Sequence, residues 1–225
     1  GKFDSKRYQS LLRKLKTWYD QEWEKQAHNR YQQAIDCDYY DHLQWTEEDA
    51  QTLMERGQAP VVYNEIKASI DWMIGTERRT RIDYKVLPRR KEDSEAAEVK
   101  TQLLKYLSDV NNEPRQRSVA FADAMKCGVG WLEVGLRGDD TDEPVFYRRQ
   151  DWRHILYDSN AVEPDLSDAR YIIRWKWVDT DIGKAYFPDR AHLIQRASVD
   201  GTKSSIDEDD DIWYMGARVT EPGQD

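Results

Sequence analysis

Tyr171-Ile172-Ile173-Arg174-Trp175-Lys176-Trp177 sets Tyr171, Ile173, Trp175 and Trp177 on one side and Ile172, Arg174 and Lys176 on the other. Such period-two alternation marks a half-buried strand, and here it predicts a ladder of rings along one face. Upstream, Ile155-Leu156-Tyr157 predicts another strand. Trp131 to Leu136 and Val145-Phe146-Tyr147, joined through a Gly138-Asp139-Asp140 turn, predict a hairpin. Downstream, Thr180 to Phe187 and Asp189 to Ala197 read as short helices parted by Pro188. Ser198 to Asp211 is polar and acidic and reads as a loop, and Ile212 to Val219 predicts a last strand.

The chain before Trp131 has a different period. From Asp4 to about Gln33, Tyr8, Leu11, Leu12, Leu15, Trp18, Tyr19, Trp23, Ala27 and Tyr31 recur three and four apart, which predicts a long helix. Its polar face is expected to carry Arg13, Lys14 and Lys16 early and Asp20, Glu22 and Glu24 later, leaving one apolar stripe for a partner. Asp36 to Trp45 breaks the pattern and reads as a tight connection. Thr46 predicts an N-cap with Glu47, Glu48 and Asp49 in the first turn, Ala50, Leu53 and Met54 on the buried side and Gly57 as the stop. Asn64 is the expected cap of a helix through Ile66, Ile70, Met73 and Ile74, ending between Gly75 and Arg79. Ile82, Tyr84 and Val86 alternate with charges, predicting a strand from Arg81 to Leu87 that Pro88 ends. Asp93 or Ser94 starts a helix carrying Val99, Leu103, Tyr106, Leu107 and Val110, and Pro114 opens another near Arg115 to Lys126. The expected fold class is therefore α+β: N-terminal helices followed by a mostly antiparallel sheet with short inserted helices, with no evident linker.

Composition limits what such a fold can do. The 225 residues carry 43 acids against 34 bases, a formal net charge of −9, which argues against a generally basic nucleic-acid coat. Leu, Ile, Val and Phe are scarce, but nine Trp and thirteen Tyr supply rings that each bury about 150–250 Å². An amphipathic, aromatic core is expected, with an unusually large charged surface suited to packing against other subunits. No apolar run approaches the ~18 residues of a membrane span and no signal segment opens the chain, so the expectation is a soluble, intracellular product. Cys37 and Cys127 stand alone, outside any CxxC pair, and are expected to be reduced packing residues.

Catalytic constellations are missing. His28, His42, His154 and His192 form no HxxxH pair, and neither a Gly-x-Ser-x-Gly elbow nor a GxxxxGK[ST] loop occurs. Gly128-x-Gly130 precedes a strand and is better read as a helix stop with close backbone packing than as a phosphate cradle. Asp207-Glu208-Asp209-Asp210-Asp211 is the one feature that suggests a metal-dependent DNA-processing enzyme, but adjacent acids without a glycine turn favour a solvated loop. Three basic clusters remain: Arg13-Lys14-Lys16, Arg78-Arg79-Arg81 and Arg89-Arg90-Lys91. Either phosphates or the acids of a neighbouring element or subunit could meet them. The negative net charge and the lack of interleaved rings favour the acids.

Several stretches together resemble the portal proteins of tailed bacteriophages, of the short-tailed, P22-like podovirus type. They are Gln44-Trp45-Thr46 through Arg56-Gly57-Gln58-Ala59-Pro60 and Val62-Tyr63-Asn64-Glu65-Ile66-Lys67; Gly75-Thr76-Glu77-Arg78-Arg79 through Asp83-Tyr84-Lys85-Val86 and Pro88; Gly128-Val129-Gly130-Trp131-Leu132-Glu133-Val134; and Asp151-Trp152 with Asp165-Leu166-Ser167-Asp168-Ala169-Arg170-Tyr171. The ordered set, over roughly residues 44 to 180, carries the resemblance. It implies a non-enzymatic structural subunit without cofactors, forming a ring, usually a dodecamer, at one capsid vertex in the virion at the head–tail junction, after assembly in the host cytoplasm. Implied partners are other copies of the chain, the major capsid protein, terminase, a tail adaptor, and double-stranded DNA passing through the channel in packaging and ejection. Residues 1–225 resemble the amino-terminal part, mainly the wing region; stem, clip and barrel are not recognisable. Another head–tail connector or scaffold is the alternative within the same class. Residue chemistry agrees with the implied ring: an acidic channel avoids gripping phosphates, and a ring needs heterologous contacts that close by rotation. Arg78, Arg79, Arg81, Arg89 and Arg90 are the candidate residues for reaching acids of the neighbouring subunit.

Overall fold

The computed structural model describes residues 6–80, 83–137 and 143–199. In chain order the elements are α1 (Lys6–Tyr40), α2 (Glu47–Glu55), α3 (Glu65–Arg79), α4 (Ser94–Val110), α5 (Glu113–Cys127), β1 (Trp131–Leu136), β2 (Val145–Gln150), β3 (Ile155–Tyr157), β4 (Ile172–Arg174), α6 (Thr180–Tyr186) and α7 (Ala191–Val199). The class is α+β, as the sequence predicts. The chain divides into two compact units: Gly1–Tyr31 with His154–Asp225, and Gln32–Arg153. The strands form two separate antiparallel ladders, β1 with β2 and β3 with β4. The Gly138-Asp139-Asp140 turn, Arg81, the acidic run Asp207 to Asp211 and the expected strand Ile212 to Val219 lie outside the described residues.

In the unit formed by the two ends of the chain, β3 pairs with β4 through Ile155 opposite Arg174 and Tyr157 opposite Ile172. That leaves the carbonyls of Ile155 and Tyr157 on the other edge, where unpaired groups are costly if buried. Residues 6–31 of α1 supply the missing partners. Gln26 Nε2 donates to the Tyr157 carbonyl (2.8 Å) and Arg30 donates to that of Ile155 (3.4 Å). Glu22, one turn earlier, is fully buried and accepts from Gln26 Nε2 (3.0 Å), Ser159 N (3.1 Å), Ser159 Oγ (3.2 Å) and the Tyr171 hydroxyl (3.0 Å). This corrects the placement of Glu22 on a solvated face. Hydropathy spacing marks an acid as outward, whereas here four donors make its burial tolerable. Burial alone would raise its pKa; the donors outweigh it and hold the carboxyl below its ordinary range.

The ring ladder packs within the same unit. Trp18 stacks on Tyr171 (4.5 Å between centroids), and Trp23 meets Trp175 edge-on (6.0 Å). Trp175 and Trp177 touch at 6.3 Å. The regular strand is shorter than the alternation, covering only Ile172 to Arg174. Before it, Arg170 clamps Asp158 with Nε (2.5 Å) and Nη2 (3.0 Å), and Asn160 N also donates to Asp158. The guanidinium beside Asp158 holds that carboxyl well below the usual carboxylate range. The helices α6 and α7 fall close to expectation, joined by a short turn at Pro188–Arg190.

The unit Gln32–Arg153 has an apolar centre: Tyr40, Ile70 and Ile74, packed by Phe121, Ala122 and Met125. The end of α1 that supplies Tyr40 corrects the reading of Asp36 to Trp45 as a connection. Gln32 Nε2 bonds Asp36 one turn on (2.9 Å), Tyr40 is buried, and the helix stops only before His42, whose φ is +71°. Thr46 caps α2 by accepting from Asp49 N (3.0 Å), and Asn64 caps α3 by accepting from Lys67 N (3.0 Å). Met54, expected on a buried side, is exposed, because α2 buries none of its residues.

The expected strand from Arg81 to Leu87 is not formed over its described part. Tyr84 and Val86 keep the half-buried alternation, but they lie against helix side chains instead of a neighbouring strand. Val86 N donates to Thr101 Oγ1 (2.9 Å) and Asp83 pairs with Lys105 (3.0 Å). Further on, β1 and β2 pair over six residues, from Trp131 opposite Gln150 to Leu136 opposite Val145. The free edge of β2 is again covered by helix side chains. Asn111 donates to the Val145 carbonyl (3.2 Å) and accepts from Tyr147 N (3.1 Å), while Gln116 accepts from Arg149 N (2.9 Å). Gly128 ends α5 at φ +79°, and a Cβ on Gly130 would lie 2.1 Å from the Ala120 carbonyl oxygen. The GxG is thus a helix stop followed by a close backbone approach.

Candidate subunit interface

Arg78 and Arg79 occupy the last turn of α3, where cations suit the negative end of the helix dipole. Arg79 Nε donates to the Gly75 carbonyl (3.2 Å), which leans it along its own helix. Arg78 instead lines an open cavity of about 970 Å³ between the end of α3 and the junction of α4 with α5, together with Thr80, Asp109, Asn112, Arg115, Arg117 and Ser118. The junction is sharp. Asn112 takes a left-handed backbone (φ +50°) and Pro114 starts α5 without needing an amide donor.

The cations around this cavity differ. Arg117 is held by Glu77 (3.1 Å) and by Glu113 one turn earlier (2.9 Å). Ser118 Oγ donates to Glu77 and Ser108 Oγ to Glu113 (3.2 Å). Burial disfavours the Arg117 charge, but the two acids outweigh it and hold the guanidinium above its usual range. Tyr84 beside them is pushed up, first by burial and then by Glu113. Arg78 and Arg115 are exposed and make no ion pair among the described residues. Arg89 and Arg90 are exposed in the turn leading to α4, likewise without an ion pair among the described residues. The predicted set is therefore divided. Arg78 reaches the cavity, Arg79 runs along α3, Arg89 and Arg90 sit before α4, and Arg81 is outside the described residues.

Sequence reasoning passed over Arg115 and Arg117. The Glu113–Arg117 spacing of four on a helix opened by Pro114 signals their pairing. Nothing local signals Glu77, which comes from another helix. Reasoning from spacing also missed that Val99, Leu103, Tyr106 and Val110, set as for a covered helix face, are 59%, 52%, 49% and 45% exposed. On β1, Leu132, Val134 and Leu136 alternate outward and are exposed as well. The Tyr106 hydroxyl bonds Glu143 and Asn111 bonds Val145, so the end of α4 lies beside the start of β2.

Among the described residues, no group of three or more His, Cys, Asp or Glu is placed to hold a metal ion, and no helix is long and apolar enough to cross a membrane. Of the buried carboxylates, Glu113 and Asp158 are paired with guanidinium groups and Glu22 is held by hydrogen bonds, while a row of apolar side chains and several cations face outward. The family model described as phage P22-like portal protein matches residues 16–221, and the chain belongs to that family. Its members are structural proteins of bacteriophages, head–tail connectors used in DNA packaging. No curated protein matches the chain.

Proposed function

We propose that this chain is the amino-terminal, wing-bearing part of a non-enzymatic portal subunit, which joins copies of itself into a ring of about twelve at the capsid vertex. Double-stranded DNA passes through the ring during packaging and ejection. The ring assembles in the host cytoplasm and comes to rest at the head–tail junction of the virion, against the major capsid protein, with terminase and a tail adaptor on other parts of the protein. The observation that carries this reading is the exposed apolar row of α4, Val99, Leu103, Tyr106 and Val110. Exposed apolar faces of this kind are characteristic of surfaces that other chains cover. Arg78 and Arg115 at the cavity, with Arg79, Arg89 and Arg90 nearby in sequence, complement a chain whose net charge is −9. Each subunit then offers cations to the acids of the next, in a heterologous contact that closes by rotation. The acid surplus keeps the hole from gripping phosphates.

Electron microscopy of the purified protein tests this directly. Closed rings around a central hole are the expected result. A stable monomer at packaging-like salt, or magnesium- or manganese-dependent cleavage of DNA, overturns it. Arg78→Glu with Arg115→Glu is expected to weaken assembly while leaving the folded chain intact by circular dichroism.

A further inference from the structure

Cys37 and Cys127 lie 90 positions apart in sequence, yet the fold brings the helix turns that carry them together. Contacts on both sides bracket the pair. Gln33, one turn before Cys37 on the same face of α1, donates to the backbone carbonyl of Cys127 (3.2 Å). Three residues after Cys37, the Tyr40 ring receives the Lys126 ammonium at 3.7 Å from its centroid. The last turns of α1 and α5 therefore lie side by side where the two cysteines stand. Both thiols are free, and their surroundings differ. Cys127 is buried, with its Sγ on the carbonyls of Asp123 (3.0 Å) and Val129 (3.7 Å). Cys37 is only half-buried, so a small reagent reaches it first.

The geometry points to a reversible thiol–disulfide modification site, in which Cys37 is the attacking sulfur, Cys127 the resolving one, and a small-molecule disulfide such as oxidised glutathione the co-reactant. The neighbouring Cys127, with the positive charges of Arg153 and Lys126, holds the Cys37 thiol below its ordinary range, while the neighbouring Cys37 and burial push Cys127 up. Cys37 loses its proton to solvent, and its thiolate attacks one sulfur of the reagent, breaking the S–S bond and releasing one thiolate. The Cys127 sulfur then attacks Cys37, expelling the second thiolate, which takes up the Cys127 proton. Two protein thiols are oxidised, and one disulfide is reduced to two thiols. The bridge ties the end of α1 to the end of α5 beside the Tyr40–Ile70–Ile74 centre. This inference stands whether or not the chain forms a ring.

The test is incubation of the folded protein with oxidised glutathione, acid quenching, alkylation and peptide mass analysis. The expected products are a bridged Cys37–Cys127 peptide in the wild type, a single glutathione adduct on Cys37 in Cys127→Ser, and no adduct in Cys37→Ser. The wild type should also melt at a higher temperature after oxidation, and dithiothreitol should reverse the shift. Adducts on both cysteines without a bridge, or no reaction in the wild type, overturns the inference. So does modification of Cys127 in Cys37→Ser as fast as Cys37 reacts in the wild type. The wild-type result decides the matter even if a serine variant fails to fold.

Discussion

In the unit built from the two ends of the chain, the free edge of β3 is covered by Gln26 and Arg30 of α1; in Gln32–Arg153, the free edge of β2 is covered by Asn111 and Gln116. The means are the same, but the interiors beside these edges are not. Next to β3 lies a buried carboxylate, Glu22, satisfied by four donors, with the Asp158–Arg170 clamp close by. The other unit centres on Tyr40, Ile70 and Ile74 and holds its buried and half-buried charges in ion pairs, as in Glu77–Arg117–Glu113. A polar interior tolerates no missing partner, whereas an apolar one tolerates no missing volume. The two units should therefore fail in different ways.

The largest effect expected is from Leu156→Ala, which empties a fully buried position in β3 and should cost about 3 kcal/mol. Hydrogen exchange should show lost protection at β3 and β4, with the amides of α3 and α5 much less affected. Glu22→Gln should cost about 2 kcal/mol, because the neutral amide cannot accept four hydrogen bonds. Chemical denaturation of the variant measures that loss.

Acid sharpens the contrast. Glu22 is held below the ordinary 4.5 of a glutamate, so the stability it contributes is present above that value and is lost as pH falls through its folded pKa. Asp158 adds to this trend. Asp123 behaves oppositely. Burial raises it above 3.8 despite Arg149, so its contribution is fully present below 3.8 and is lost as pH rises through its folded pKa. Between about pH 5 and pH 3, exchange protection at Tyr157 and Ser159 should fall before that around Asp123. The smallest effect is that of Tyr40→Phe, which removes a 2.6 Å hydrogen bond to Asp71 and should cost about 1 kcal/mol. The phenol itself, pushed up to about 12 chiefly by that bond, contributes stability that is lost only as pH rises through that value. Absorbance titration of the wild type against the variant reports it.

Local signals carried much of this architecture. Thr46, Asn64, Pro114 and Gly128 mark helix ends by local backbone chemistry, and the expected strands at Trp131 to Leu136 and Ile155 to Tyr157 form at those positions. What was not legible depends on residues far away in sequence. The helix through Asp36 to Tyr40 is held by Asp71, burial of Glu22 depends on Ser159 and Tyr171, and pairing of Arg117 requires Glu77. The candidate interface was half legible for the same reason. Arg78 could be named from its cluster, but the cavity it shares with Arg115 exists only where α3 meets the α4–α5 junction.

Sedimentation velocity of the wild type beside Leu103→Asp with Tyr106→Asp tests the central claim most directly. Self-association through α4 predicts a large, closed assembly for the wild type and a folded species of far lower mass for the variant. Identical sedimentation of the two, whether as monomers or as assemblies, would contradict it.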